Sequence, residues 1–418
     1  MSRNRKRLST LEAVMLVVII VIPVLSPGAG AASKYKTLHK FSGGADGNVP
    51  SGVIFDRAGN LYGTTSLGGA LGYGVVFELM PNSNGTWTES VLYQFMGGHD
   101  GAYPSSSLIF DGAGNLFGAT AGGGDPEHCT VNSVDGCGVI FELMPNSNGT
   151  WTESALYQFT GGSDGAFPAA VIFDGAGNLY GTTPVGGALG YGVVFELMPN
   201  SNGTWTEIVL RSFTRKGPFP GSLIFDAIGN LDGTSGGDGS PGAAFQLTPT
   251  STGGWTYHLL HRFTGGNDGS TPNGPLIFDS AGNLYGTTGG GGVYGYGNVF
   301  RLTPDSNGGW TEHVLHQFTG GKQGAQPAAG LTHDATGNLY GTTYYGGNLS
   351  NCSSGCGVAF ELTPNSNGGW KEIVLHTFLD HPGAHPAAGL VLDTTGNLYG
   401  TSVGDSTTTF GSVFEIAP

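Results

Sequence analysis

Short apolar runs separated by glycine-rich polar stretches recur along the chain from residue 34 onward. The first run of each unit is continuous, as in Val53-Ile54-Phe55 or Leu108-Ile109-Phe110, which suits a strand covered on both faces. A second run follows at Leu61-Tyr62-Gly63-Thr64-Thr65, and a third at Gly74-Val75-Val76-Phe77-Glu78-Leu79. The fourth alternates in period two. It predicts Trp87, Glu89, Val91, Tyr93 and Phe95 on one face, with Thr88, Ser90, Leu92 and Gln94 on the other. Its polar content marks it as the outer, partly solvated strand of a four-stranded sheet.

Between the first two strands lies Asp-x-x-Gly-Asn-Leu, a tight hairpin in which Asp can accept backbone N–H bonds while Gly and Asn tolerate positive φ. It starts at Asp56, Asp111, Asp174, Asp226, Asp279, Asp334 and Asp393, 52 to 63 residues apart. That period is too long for one solenoid coil and suits a propeller blade. The chain ends decide the topology. The last copy has only three strands, ending at Ser412-Val413-Phe414-Glu415-Ile416, while an orphan fourth strand, Tyr35 to Phe41, precedes the first copy. Joining them removes two exposed sheet edges. The predicted fold is therefore all-β: a seven-bladed β-propeller of four-stranded antiparallel blades, its ring closed by the N-terminal strand completing the last blade.

Phe-x-Gly-Gly-x-Asp-Gly-x-x-Pro, then Asp-x-x-Gly-Asn-Leu-Tyr-Gly-Thr-Thr, then Gly-x-Val-Phe-Glu-Leu resembles the GloVer tandem repeat of choice-of-anchor bacterial surface or secreted proteins. The resemblance spans residues 34–418. It implies bacterial origin and export, and brings no catalytic residues. Asp-x-x-Gly-Asn-Leu-Tyr is also similar, more loosely, to NHL-type propeller repeats, including those of the streptogramin-lyase-like group.

The first 31 residues read as a signal peptide, leaving 32–418 as a single propeller domain. Arg3, Arg5, Lys6 and Arg7 precede an apolar run from Ala13 to Leu25, and Ala29-Gly30-Ala31 fits a cleavage site. The run is shorter than the ~20 residues of a spanning helix. Retention as an uncleaved anchor is the alternative. Cleavage removes four basic residues and Glu12, moving the net charge from −15 to −18. An acidic protein of this kind repels phosphate backbones and anionic lipid, so neither nucleic acid nor a membrane beyond the signal peptide is an expected partner. A secreted or extracytoplasmic monomer is expected.

In four-stranded blades the 2–3 and 4–1 loops share one face, and here they carry the length variation and most aromatic loop residues. Tyr73, Asp100, Tyr103, Asp164, Phe167, Tyr191, Tyr294 and Tyr344 are the candidate ligand-binding set, because aromatic faces beside carboxylates suit stacking on sugar rings and bonding to hydroxyls. The bland reading is that the aspartates cap their own glycine-rich turns and the aromatics pack between blades. Cys129 with Cys137, and Cys352 with Cys356, read as two local disulfides within enlarged 2–3 loops. The alternative, a shared four-Cys zinc site, requires loops of the second and sixth blades to meet across the ring.

His39, His261, His316 and His376 share one repeat position with Tyr93, Tyr157 and Arg211, which reads as packing. His381 and His385 are the best metal candidates but lack a third ligand, so no metal and no cofactor are expected. The fourth copy is degenerate, with Arg215-Lys216-Gly217-Pro218 in its loop and Asp232 where Tyr is usual; drift accounts for it more simply than a binding edge. No Gly-x-Ser-x-Gly, His-Glu-x-x-His or phosphate-binding loop is present, and no catalytic residue is assigned. The expected function is non-enzymatic binding or adhesion, to extracellular polysaccharide or a cell-envelope component. A lyase or hydrolase with its site at the channel mouth and a purely structural envelope module are the alternatives.

Overall fold

The hairpin aspartate sets the register of each blade. Asp56 Oδ1 accepts the amides of Ala58 and Asn60, both at 2.8 Å, and Oδ2 accepts the Asn60 side-chain amide at 2.9 Å. The next five residues each have one task. Leu61 is fully buried and the Tyr62 hydroxyl donates to Glu78 at 2.6 Å. Gly63 leaves room for the Phe77 ring, which would lie 2.6 Å from a Cβ there. Thr64 donates to the Ser106 carbonyl of the next blade, and Thr65 donates to Leu67 O within its own loop.

The computed structural model describes residues 33–418 except 128, 130–135, 215–218, 238, 273, 328, 351, 380–382 and 405–408. The described residues form seven antiparallel sheets arranged as a propeller. Blade 1 comprises Asn48–Phe55, Leu61–Leu67, Val75–Pro81 and Trp87–Gln94, paired in chain order. Blade 2 differs only in an interrupted first strand, Ala102–Pro104 and Ile109–Phe110. The seventh sheet contains Val391–Leu392, Leu398–Ser402 and Ser412–Ala417, and Lys34–Lys40 pairs with the last of these, Tyr35 opposite Ile416. The predicted closure is thus formed. The described residues also include the 3₁₀ turn Gly321–Gln323.

Each of the seven blade junctions is filled by a phenylalanine pair. The residue after each fourth strand meets the central phenylalanine of the next third strand: Phe41 with Phe77 at 5.1 Å, Phe95 with Phe141 at 5.1 Å, and so on round to Phe378 with Phe414 at 5.0 Å. These inclined aromatic pairs contribute roughly 1 kcal/mol each beyond the area they bury.

One expectation is corrected. The outer strand does not keep strict alternation, because every copy carries a β-bulge. Val91 pairs with Phe77 but Tyr93 pairs with Val76, leaving Leu92 as the extra residue. One inserted residue reverses the parity, so Tyr93 leaves the face shared by Trp87, Glu89 and Val91. Trp87 accordingly meets Tyr399 of the preceding blade at 6.2 Å, whereas Tyr93 packs on Phe95 at the junction with the next.

Candidate functional site

The innermost strands wall the axial channel, and their approach segments are built from small residues. Between each loop proline and the first buried aliphatic residue, the described residues are Ser, Gly, Ala and Pro: Ser105-Ser106-Ser107 in blade 2, Ala169-Ala170 in blade 3, Gly221-Ser222 in blade 4. Neighbouring strands approach closely enough to require this. A Cβ on Gly52 would meet Ser107 of the next blade and lie 3.5 Å from Ala388 of the preceding one; a Cβ on Gly274 would lie 2.7 Å from the Ala329 carbonyl. Among the described residues these approach segments therefore present no acid, base or nucleophile stronger than a serine hydroxyl.

At the head of each innermost strand, on the face of the 2–3 and 4–1 loops, stands one residue in the left-handed region. Val49, Tyr103, Phe167, Phe219, Thr271, Gln326 and His385 have φ between 48° and 62°, and each directly precedes a proline. A non-glycine residue there costs about 1–2 kcal/mol. The cost is offset across the blade junction. The amide of Tyr103 donates to Tyr73 O at 2.9 Å, that of Phe167 to Cys137 O at 2.8 Å, and that of His385 to Cys356 O at 2.8 Å. For Val49, Tyr103, Phe167, Thr271, Gln326 and His385 the acceptor is the residue before a glycine at the start of the third-strand core of the previous blade. That glycine is needed because the following proline packs on it, Pro104 Cδ lying 2.7 Å from a Cβ on Gly74.

The aspartates of the candidate set are turned into their own loops. Asp100 accepts Met96 N at 2.7 Å and the Tyr93 hydroxyl at 3.0 Å. Asp164 accepts Thr160 N and Thr160 Oγ1, both at 2.7 Å, and the Tyr157 hydroxyl at 3.3 Å. His261 holds Asp268 in the same way at 3.3 Å, so the shared His/Tyr position anchors the 4–1 turn. Both carboxylates face a glutamate from the next outer strand. Glu153 is pushed up to about 7 by burial and then by the Asp100 charge, and Glu207 likewise beside Asp164.

The aromatic candidates divide. Tyr73 lies over Gly97, where a Cβ would be 2.6 Å from its ring, and meets Tyr103 edge-on at 5.7 Å. Tyr191 is half-buried against the core of the next blade. Phe167 is half-buried at the mouth. Tyr344 stacks on His385 at 4.7 Å with 17° between planes, and Tyr345 stands edge-on to the same imidazole. Tyr294 and its neighbour Tyr296 remain 57% and 44% exposed at the tip of their 2–3 loop. Tyr103 and Phe167 thus belong to the left-handed ring, while Val49, Phe219, Thr271, Gln326 and His385 complete it. The signal that could have found them is positional: every one precedes the proline that ends a 4–1 loop.

The cysteines form two local disulfides, Cys129–Cys137 and Cys352–Cys356, with Cα atoms 5.3 and 5.4 Å apart, as in extracytoplasmic proteins. Cys137 and Cys356 stand where other blades place Tyr73, Tyr191 and Tyr296, so each bridge fixes a carbonyl that holds the next ring residue. Beside the second bridge lies a groove of about 810 Å³ flanked by Lys322, Leu349 and Val374. No three His, Cys, Asp or Glu among the described residues are grouped to hold a metal ion. His381 and the Arg215–Pro218 segment lie outside the described residues, as does the predicted signal peptide. Among the described residues no helix is long and apolar enough to cross a membrane.

Solved structures with a related shape include a gluconolactonase of Xanthomonas campestris (14% identity, TM-score 0.40, covering 67% of this chain and 81% of that one). A luciferin-regenerating enzyme matches at 13% identity and TM-score 0.47, over 74% of this chain and 90% of its own. PorZ, a surface component of the type-IX secretion system of Porphyromonas gingivalis, matches at 14% identity and TM-score 0.44, over 83% of this chain and 44% of its own. With TM-scores below 0.5, none of these bears on what this chain does. No curated protein matches the sequence. The model of the Gloeobacter/Verrucomicrobia repeat does match it, over residues 28–136 and 234–418, which is more than half of the chain, and the protein belongs to that repeat family.

Proposed function

We propose that the protein is an exported, non-enzymatic binding propeller that holds a neutral extracellular polysaccharide on the face of its 2–3 and 4–1 loops. The observation that carries this reading is the contrast between the two faces. The opposite face spends its polar groups on its own turns, as where Asn82 donates to Thr86 and Thr88 and where each hairpin aspartate accepts its own backbone. The loop face leaves aromatic rings partly uncovered, Tyr103, Phe167, Tyr294, Tyr296 and Tyr344 among them. Rings of this kind stack on the apolar C–H faces of sugars, and a few neutral polar groups beside them fix orientation. Among the described residues the approach segments of Ser, Gly, Ala and Pro offer no paired carboxylates for general acid–base work, which favours binding over hydrolysis or elimination.

Export follows from the amino-terminal segment, with cleavage after Ala31. Fractionation with amino-terminal sequencing tests both: protein confined to the cytoplasm would refute export, and a retained Met1 on exported protein would refute cleavage. A glycan array probed with folded protein tests the binding. Signal on neutral plant or microbial polysaccharides is expected; silence on all of them sinks the sugar reading, and turnover of any would replace binding by catalysis.

A further inference from the structure

The seven ring residues share one backbone conformation and differ in side chain, and the differences are ordered. Val49, Tyr103, Phe167 and Phe219 stand on blades 1 to 4; Thr271, Gln326 and His385 stand on blades 5 to 7. One contiguous arc is apolar and the remaining arc is neutral and hydrogen-bonding. The junction phenylalanines, by contrast, are one residue all round. Here seven equal costs in backbone strain hold seven side chains at equivalent places, and their chemistry is sorted into two halves. Strain of this kind gathers at ligand clamps.

We infer that this ring is a subsite for a single pyranose unit of a neutral glycan, seated over the channel mouth. The inference rests on the polysaccharide reading above and gives it a place and an orientation. The C–H face of the sugar lies toward Tyr103, Phe167 and Phe219, and its hydroxyls toward Thr271, Gln326 and His385. Gln326 is exposed and offers both a donor and an acceptor. His385 Nδ1 lies 2.9 Å from the Tyr344 carbonyl, so Nδ1 carries the proton and Nε2 is an acceptor. The ring holds no acid, lysine or arginine, and the neighbouring Asp100 and Asp164 are occupied by their own turns. Among the seven ring residues a charged sugar finds no carboxylate, lysine or arginine to pair with.

Glycine at these positions removes the side chain and relieves the left-handed strain together. Gln326 is exposed, whereas Phe167 packs on the junction core. Phe167→Gly is therefore read alongside its unfolding midpoint, and Gln326→Gly keeps the test independent of packing. Cellohexaose, xylohexaose and maltohexaose are titrated calorimetrically into the protein, with oligogalacturonate as the charged comparison. At least one neutral hexasaccharide is expected to bind. Each glycine variant should weaken it roughly tenfold or more, the equivalent of losing about 1.4 kcal/mol of contact, while Ile228→Ser, in an exposed hairpin turn on the opposite face, leaves binding unchanged. Undiminished binding by both glycine variants overturns the ring assignment and leaves the polysaccharide reading standing. Binding of oligogalacturonate alone overturns the neutral-sugar assignment. Failure of every saccharide to bind sinks the polysaccharide reading itself, and the ring with it.

Discussion

Gln246 donates its side-chain amide to both carboxylate oxygens of Asp232, at 3.1 and 3.3 Å, inside the fourth blade. The pair stands where other blades place a tyrosine and a glutamate, as in Tyr180 donating to Glu196 at 2.7 Å. Donor and acceptor have exchanged strands, so the departure of this copy from the repeat is a compensated pair and not loose drift. Asp232 is fully buried; burial pushes it up to about 7 against the lowering bond from Gln246, and the Asp226 charge adds to the rise. Gln246→Glu would set two carboxyl groups together and should cost about 3 kcal/mol at pH 8, less at pH 6 where a proton is retained. Asp232→Tyr with Gln246→Glu rebuilds the usual pair and should recover most of the loss. A double-mutant cycle by denaturant unfolding measures this, and strictly additive single effects would show that the two residues do not act as a pair.

The junction glutamates predict an unusual pH dependence. Glu89, Glu153, Glu207, Glu312 and Glu372 are each pushed up to about 7 from an ordinary 4.5. Burial is the main cause, and in the first four an aspartate of the preceding 4–1 loop adds to it. Between about pH 4.5 and 7 the folded protein therefore binds more protons than the unfolded chain. Their contribution to stability falls as pH rises through that window and levels off above it. His316 and His376 oppose this at lower pH: burial lowers both to about 4, so they weaken the fold as pH falls from 6.5. Above 6.5 the glutamates act together with Asp232, which is also pushed up to about 7, and both lower stability as pH rises. The melting temperature should fall from pH 6.5 to 7.5, and Glu153→Gln should raise it at pH 7.5 while changing little at pH 5. A thermal-unfolding series checks both, and an unchanged variant at pH 7.5 would refute the buried proton.

Two glycines of the third blade separate space from backbone strain. Gly181 has no clearance: a Cβ would lie 2.5 Å from Phe195 Cζ and 3.1 Å from Val171 Cγ1. Gly177 has open space but sits at φ +90°. Gly181→Ala should cost at least the ~1–3 kcal/mol of an overpacked core, and Gly177→Ala about 1 kcal/mol of left-handed strain. Chemical denaturation ranks them, and a reversed order would mean that the Phe195 ring can yield.

Seven blades were legible because every unit repeats its hairpin and because complementary fragments sit at the two ends, Tyr35 to Phe41 and Ser412 to Ile416. The bulge was not. Val91, Leu92 and Tyr93 are all residues that suit strands, so the extra one leaves no mark on an alternation read by eye. Nor was the left-handed ring. Positive φ is usually advertised by glycine or asparagine, whereas Phe167 and Val49 say nothing of it; only their place before proline does. Asp100 and Asp164 were ambiguous because a carboxylate serves a turn and a ligand equally well. The Thr160 hydroxyl four residues before Asp164 was the clue to the turn, since a hydroxyl there can cap the loop from the other side.

Closure depends on the strand that precedes the first blade. Tyr35 stacks on His376 of the sixth blade at 3.9 Å with 7° between planes, and the buried Phe41 fills the junction with blade 1 against Phe77. One strand thus completes the last sheet and supplies contacts on both sides of it. Phe41→Ala should cost about 3–5 kcal/mol, as for a fully buried phenylalanine. Removing residues 33–41 should cost far more, since it bares the Ser412–Ala417 edge and opens two junctions together. The shortened chain is expected to lose its single cooperative unfolding transition and to self-associate, and a synthetic peptide of residues 33–41 should restore both properties when added in trans. In an open stack of blades the same deletion would trim one end and leave the others intact. A shortened chain that unfolds at the full-length midpoint would therefore show that the blades stand without the ring.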